Sequence, residues 1–137
     1  MVGKCLWDFC SGRQENLIQR WARDERLTSA ERALLNQRLD RLAQLDFEQA
    51  IHSNLLNGPI YKERHIYKLK VNGDKILRPM LCRGPLEGEK ERAYTLLIGA
   101  CEDQGKFIPD KAPQRAEERR QDVLRDPKNK RLNHERF

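Results

Sequence analysis

The sequence has no hydrophobic run long enough for a secretory leader or a bilayer-spanning helix. It also lacks a glycine-rich phosphate loop, a G-x-S-x-G nucleophile motif and a pair of carboxylates spaced for acid–base catalysis. These absences leave no sequence basis for a P-loop enzyme or a serine hydrolase. We expect a cytoplasmic protein that has no membrane partner and uses no small-molecule cofactor.

Cysteine is scarce, and no pair of cysteines has the C-x-x-C spacing of a metal site. Cys5 and Cys10 are five positions apart, whereas Cys82 and Cys101 are isolated. In a cytoplasmic protein such residues are typical of reduced thiols rather than of a disulfide framework. We therefore expect structural thiols and no bound metal.

The charge is distributed unevenly along the chain. The net charge is +6, but basic and acidic residues balance from residue 1 to residue 60, so the whole excess lies in residues 61–137. A basic surface is compatible with a nucleic-acid partner. Because the excess coincides with a predicted sheet and a predicted helix, we favour a functional basic surface over general solubility.

Helical periodicity fills the first part of the chain. The segment ENLIQRWARD has apolar side chains at helical spacing, which predicts a helix over about residues 14–26. A second helix begins at TSAE, where Thr28 and Glu31 have the spacing of a capping box. We expect these helices to form an antiparallel hairpin that opens the domain and packs on a sheet.

The second part of the chain predicts that sheet and a last helix. Strands are expected at about residues 65–71, 75–83 and 94–101, the last covered on both faces because YTLLIGAC is apolar throughout. The segment APQRAEERRQDVLRD predicts a helix that Pro113 opens. The order of elements indicates an α+β fold with a small, mainly antiparallel sheet.

One domain is expected to span residues 1–137. Its helical part covers about residues 1–60, and its basic sheet and C-terminal helix cover about residues 61–126. The charged tail, residues 127–137, is expected to be loosely held, although Leu132 and Phe137 are apolar residues that could anchor it.

The first two strands predict a hairpin with basic residues on one face. A three-residue loop at Asn72-Gly73-Asp74 pairs Leu69 with Leu77 and Lys68 with Arg78. The apolar face then gathers Tyr67, Leu69, Val71, Leu77, Pro79 and Leu81, and the other face carries Lys68, Lys70, Ile76, Arg78 and Met80. Pro79 cannot donate to a ladder, so we expect a bulge or an edge there.

The paired cations Lys68 and Arg78 have two interpretations. Like charges directly opposite each other destabilise a sheet. An anion between them, such as a phosphate, would reverse that effect, because arginine and lysine both bind phosphate. The alternative is that the extended basic side chains are simply solvated. His65 precedes the strand as a possible general acid or base, and Tyr61 and Tyr67 could stack on bases.

Five segments taken together resemble a known family. They are LNQRLDRLAQLD, NLLNGPIYKERHIYKLKV, KILRPMLCRG, YTLLIGACEDQGKFIP and QRAEERRQDV, which cover about residues 35–123. Their order and spacing resemble the RelE/ParE superfamily of type II toxins, most closely its HigB-like, phage-protein-like branch. Such a domain is expected to be a helical hairpin on a small sheet with a C-terminal helix.

The resemblance implies a metal-independent endoribonuclease that cuts mRNA on the ribosome and that a cognate antitoxin neutralises. Lys68 and Lys70 then match the motif strand, Arg78 matches the arginine of the next strand, and Lys106 matches the segment before Pro109. The predicted catalytic residues are Lys68, Lys70, Arg78 and His65, and the predicted RNA-binding residues are Arg83, Lys106, Lys75 and Arg64.

Two alternatives stay open. One is a nuclease-inactive domain of the same fold that binds RNA or a partner protein. The other is a ParE-like inhibitor of a protein target such as a topoisomerase.

Overall fold

The structure is a computed structural model that describes residues 3–60 and 62–137. Within these residues the chain has an α+β fold, as the sequence predicts. The helices are α1 (Leu17–Asp24), α2 (Ser29–Gln44), α3 (Phe47–His52), α4 (Ala112–Arg125) and α5 (Pro127–Lys130). The strands are β1 (Cys5–Phe9), β2 (Leu56–Asn57), β3 (Tyr67–Leu69), β4 (Val71–Asn72), β5 (Ile76–Leu77), β6 (Met80–Arg83), β7 (Ala93–Ile98), β8 (Cys101–Asp103), β9 (Lys106–Ile108) and β10 (Arg131–Asn133).

The strands form two mixed or antiparallel sheets. The six-stranded sheet has the order β10-β1-β7-β6-β3-β2, and the four-stranded sheet has the order β4-β5-β8-β9. Strand β1 runs parallel to β7, whereas its other neighbour, β10, is antiparallel. The larger sheet is therefore mixed, and it joins the two ends of the chain.

The prediction that a helical hairpin opens the domain is wrong, because β1 comes first. Helix α1 begins at Leu17, since the side chain of Asn16 accepts hydrogen bonds from Ile18 N and Gln19 N at 3.0 Å each. Helix α2 does begin with the predicted capping box. Thr28 Oγ1 accepts from Glu31 N at 3.1 Å, and Glu31 Oε1 accepts from Thr28 N at 3.0 Å.

The basic hairpin keeps its predicted faces but not its predicted register. Lys68 lies opposite Met80, and Val71 lies opposite Leu77, so the cross-strand pair of Lys68 with Arg78 does not form. The second strand of the hairpin is interrupted at Arg78 and Pro79. The residues before this break form β5, in the four-stranded sheet, and the residues after it form β6, in the six-stranded sheet. The predicted break at Pro79 is confirmed. The register differs by two residues because Asn72 pairs with Ile76, so that the turn consists of Gly73, Asp74 and Lys75.

The core lies on both sides of the larger sheet. All six residues of β7 are buried, which confirms that this strand is covered on both faces. One apolar cluster joins α1, α2 and α3 to the sheet, and the other joins α4 to it. Met80 belongs to the α4 cluster and is fully buried, so its predicted place on an open basic face is wrong; Ile76 is exposed as predicted. Pro113 stands in the first turn of α4, as expected.

The tail is anchored, contrary to the prediction that it is loosely held. Strand β10 pairs with β1, and Phe137 packs edge-on against Trp21 at 6.5 Å between ring centroids. Asp8 is fully buried under the tail. Its carboxylate accepts hydrogen bonds from Asn16 Nδ2 at 2.9 Å and Glu135 N at 3.0 Å, and it lies 2.8 Å from His134 Nδ1. The buried carboxylate of Asp8 therefore joins β1 to the start of α1 and to the C-terminal tail.

Candidate nucleic-acid interface

A basic pocket lies where the loop before β3 meets the loop between β6 and β7. It encloses about 410 Å³. Its lining consists of Arg64, His65, Tyr67, Arg83, Pro85, Leu86, Lys90 and Arg120. Four of these side chains carry a positive charge and none is a carboxylate. We call this site the basic pocket.

The loop before β3 places Arg64 and His65 at the pocket. This loop is closed by backbone hydrogen bonds from Ile60 N to Ile66 O at 2.9 Å and from Ile66 N to Glu63 O at 3.1 Å. Ile66 is fully buried and fixes the end of the loop, while Arg64 and His65 are exposed. A buried anchor thus holds two exposed, hydrophilic side chains at the rim. Tyr61, a predicted stacking residue, lies outside the described residues.

Arg83 is held rigidly in the wall of the pocket. Its guanidinium lies 3.9 Å from the centroid of the Phe47 ring and forms an ion pair with Glu91. Phe47 also packs edge-on against Tyr67, with ring centroids 5.2 Å apart. Stacking and ion pairing together fix the guanidinium, so Arg83 supplies a positioned charge rather than a mobile one.

Arg120 reaches the pocket from helix α4. Its Nε and Nη2 both bind Glu117, with 2.7 Å contacts to the two carboxylate oxygens. These hydrogen bonds raise the pKa of Arg120 above its ordinary value. Lys90, on the loop between β6 and β7, is exposed and forms no ion pair within the described part of the chain. The pocket thus combines two guanidiniums held by carboxylates with two exposed cations, Arg64 and Lys90, at its rim.

The loop that carries Lys90 is tied to the tail. Glu89 binds Arg131 of β10 through two contacts of 2.7 and 3.0 Å, and it accepts a hydrogen bond from Leu86 N. Burial raises the pKa of Glu89, but the hydrogen bonds and charge of Arg131 outweigh it, so the pKa is lowered. The ionised carboxylate therefore orders one wall of the basic pocket.

Lys68 and Arg78 lie beside a carboxylate of the protein itself. Lys68 Nζ is 3.8 Å from Glu102 Oε1, and Arg78 Nε is 3.9 Å from Glu102 Oε2. Arg78 is also buried, and its Nη1 donates to Leu77 O at 2.8 Å. The anion beside both cations is the Glu102 carboxylate of β8, whereas a phosphate between them is one of the two interpretations of the sequence.

The other predicted site residues are dispersed. Lys70 lines a separate pocket with Arg38 and Arg41. Lys75 is structural, because its Nζ donates to Glu25 O at 2.7 Å and its backbone N–H donates to Glu31. Lys106 is exposed on β9, at a third pocket. The structure therefore brings Arg64, His65 and Arg83 together and places the remaining predicted residues elsewhere.

Sequence reasoning missed two charged members of the basic pocket, Lys90 and Arg120. Lys90 lies in the polar segment GPLEGEKER, which gives no sign of the direction in which the loop folds. Arg120 had a detectable signal, since Glu117 and Arg120 are three residues apart on a helix and such pairs interact. The tertiary contact between α4 and the sheet, which brings Arg120 to the pocket, has no sequence signature.

Cys82 and Cys101 do not offer a reactive thiol. All four thiols are free, and burial raises the pKa of Cys82 to about 12 and that of Cys101 to about 11. Buried thiols of this kind stay protonated and are poor nucleophiles. Among the residues that the structure describes, no cluster of His, Cys, Asp and Glu could hold a metal ion, and no helix is long and apolar enough to cross a membrane.

No protein-family model, curated protein or solved structure matches this chain. The features that bear on function are therefore the basic pocket and the group formed by Lys68, Arg78 and Glu102.

Proposed function

We propose that this protein is a toxin of the RelE/ParE type, in the HigB-like branch, which binds mRNA on the ribosome and cleaves it. The basic pocket is the observation that carries the proposal. Its lining joins four cations and an imidazole, with no carboxylate among them. Cations arranged around a cavity are what binding of the RNA phosphate backbone requires, because that backbone supplies most of the electrostatic attraction.

The order of the elements supports the same proposal. Helices α1 and α2, the strands β3, β6 and β7, and helix α4 follow one another as the family resemblance implies. Strands β1, β2 and β10 and the short helices α3 and α5 are additions to that order. Strand β1 lies parallel to β7, on the side of β7 away from β3.

His65 is the residue best placed for proton transfer in this pocket. In the proposed reaction the 2′-oxygen attacks the adjacent phosphorus, and the bond from phosphorus to the 5′-oxygen breaks. The proton of the 2′-OH is removed and a proton is delivered to the leaving 5′-oxygen, for which an imidazole is suited. Arg64 and Lys90 would stabilise the charge that develops on the phosphate oxygens, whereas Arg83 is already paired with Glu91 and would contribute less.

An acidic segment of a cognate antitoxin is the proposed protein partner. A surface that attracts RNA phosphates also attracts carboxylates, because complementary charge steers and orients both kinds of partner. Occupation of the basic pocket by such a segment would exclude RNA and neutralise the toxin.

The double variant Arg64→Gln/Lys90→Gln tests the RNA-binding part of the proposal. Both side chains are exposed, so the fold should be retained. We expect affinity for single-stranded RNA at low salt to fall about tenfold, and the slope of log affinity against log salt to fall by about 1.4. Fluorescence anisotropy over a salt series measures both quantities.

The matched control is Arg13→Gln/Lys128→Gln, which removes two exposed cations outside the basic pocket. If both double variants lose the same affinity and slope, RNA binding reflects net charge alone and the proposal fails. If the unaltered protein binds no RNA, a ParE-like activity on a protein target such as a topoisomerase becomes the better reading.

A nuclease-inactive RNA-binding domain is the second candidate, and Glu102 favours it. The carboxylate lies within 4 Å of both Lys68 and Arg78, which are two of the four predicted catalytic residues. A cation already neutralised by a neighbouring carboxylate stabilises a reacting phosphate less than a free one. In this candidate the protein covers RNA without cutting it.

Glu102→Gln distinguishes the candidates. Removing the carboxylate charge frees Lys68, which is partly exposed, whereas Arg78 stays buried. We expect RNA affinity at low salt to rise and the salt slope to increase by about 0.7, the value for one new phosphate contact. In an active toxin the cleavage rate should rise as well, whereas in an inactive binder only affinity should change.

The control for this variant is Asp103→Asn, an equal change of charge on the neighbouring, exposed residue of β8. An identical gain in affinity from Asp103→Asn would show that Glu102 has no special relation to the RNA.

A further inference from the structure

A second cluster of cations lies outside the basic pocket. Arg38 and Arg41 project from α2, and Lys70 stands between β3 and β4. The three side chains line one pocket of about 320 Å³. Within residues 3–60 and 62–137, none of the three forms an ion pair, and no carboxylate lines this pocket. We call it the oxyanion pocket.

The fold builds this pocket from separate parts of the chain. Arg38 and Arg41 are three residues apart on α2 and therefore lie on neighbouring positions of one helix face. The backbone of Lys70 is held in place because its N–H donates a hydrogen bond to Leu55 O at 3.0 Å. This bond connects the hairpin to the segment after α3. Ser53, Asn54 and Asn72 complete the polar lining.

Like charges gathered without a counter-ion repel one another. This repulsion lowers the stability of the fold unless an anion is bound between the cations. Phosphate is a suitable anion, because arginine and lysine both bind its oxygens. The side-chain amides of Asn54 and Asn72 add hydrogen-bond donors that a phosphate can accept from. A phosphate monoester carries close to two negative charges at neutral pH, whereas a phosphodiester carries one. Three cations therefore match a terminal phosphate better than an internal one.

We propose that the oxyanion pocket binds a terminal phosphate group, held by Arg38, Arg41 and Lys70. This inference does not depend on the proposed function, because it involves none of the lining residues of the basic pocket. It assigns to Lys70 a role in ligand binding rather than in catalysis. The ligand could be free phosphate, a nucleotide or the 5′-phosphate of an RNA, all of which present the same chemical group.

Titration with inorganic phosphate at constant ionic strength tests the proposal, with chemical shifts or calorimetry as the readout. We expect Arg38→Gln/Arg41→Gln to weaken phosphate binding about 100-fold, and Lys70→Gln to weaken it about tenfold, because each charge-assisted hydrogen bond contributes about a factor of ten or more. Arg13→Gln/Lys128→Gln, which removes two exposed cations outside both pockets, should leave phosphate binding unchanged. The single Lys70→Gln variant keeps the test decisive if the double variant does not fold.

Comparison of 5′-phosphorylated and 5′-hydroxyl forms of one short RNA identifies the source of the phosphate. Tighter binding of the phosphorylated form, lost in Lys70→Gln, supports the pocket as a site for an RNA end. Equal binding of the two RNAs together with binding of inorganic phosphate supports the pocket as a site for a free phosphate compound. Absence of phosphate binding, or an equal loss in the oxyanion-pocket variants and in Arg13→Gln/Lys128→Gln, would overturn the proposal.

Discussion

Replacement of His65 by alanine should slow RNA cleavage by about 100-fold or more while leaving RNA affinity nearly unchanged. His65 is exposed at the rim of the basic pocket, and no hydrogen bond or ion pair holds it within the described part of the chain. Its loss therefore removes a proton donor and acceptor without weakening the fold. Cleavage of a defined mRNA in a translation reaction, followed by primer extension, measures the effect.

His52→Ala is the matched control, because His52 is an exposed histidine in the last turn of α3 and outside the basic pocket. If the unaltered protein and the His65 variant cleave RNA equally fast, His65 does not take part in the reaction. A His65 variant that loses RNA binding as much as it loses cleavage would place the imidazole in binding rather than in proton transfer.

Replacement of Asp8 by alanine should lower the free energy of unfolding by about 3 kcal/mol, since it leaves buried donors without their acceptor. The carboxylate is fully buried and accepts hydrogen bonds from Asn16 Nδ2 and Glu135 N, while His134 Nδ1 lies 2.8 Å away. Loss of these contacts frees the tail and removes support from α1. Chemical denaturation followed by circular dichroism measures the change.

Asp40→Ala provides the comparison. Asp40 also holds the tail, through Arg136, but both side chains are exposed and solvent screens the pair. We expect Asp40→Ala to leave the unfolding midpoint nearly unchanged. A small effect of Asp8→Ala, similar to that of Asp40→Ala, would contradict the claim that Asp8 anchors the tail.

Local patterns predicted most of the elements. The capping box at Thr28, the proline at the start of α4 and the two-sided burial of β7 all depend on residues that are neighbours in sequence, and the structure confirms each of them. The elements that were not predicted are β1, α3, β2, β9, α5 and β10. Strand β1 was missed because CLWDF is short and its partners, β7 and β10, lie far along the chain. Strand pairing of this kind is set by tertiary packing rather than by propensity.

The hairpin shows why the candidate site was only partly predictable. The parity of apolar residues correctly placed Tyr67, Leu69 and Leu77 inside. Parity survives a shift of two residues, however, so it could not show that Lys68 faces Met80 instead of Arg78. The shift arises at the turn, where Asn72 pairs with Ile76 and Lys75 belongs to the loop.

Charge counting had a similar limit. It located the basic excess in the second part of the chain, and the basic pocket does draw all its lining residues from there. It could not show which cations are neutralised, since Glu102 meets Lys68 and Arg78 only through the pairing of β5 with β8. It also passed over Arg38 and Arg41, because residues 1–60 carry no net charge.

Photochemical cross-linking of RNA to the protein, with the linked peptides identified by mass spectrometry, tests the central claim most directly. If the basic pocket binds the RNA backbone, cross-links should concentrate in the segments around Arg64–Tyr67 and Arg83–Lys90, and Arg64→Gln/Lys90→Gln should reduce them. Cross-links spread evenly over the exposed lysines and arginines, or confined to other segments, would contradict the account.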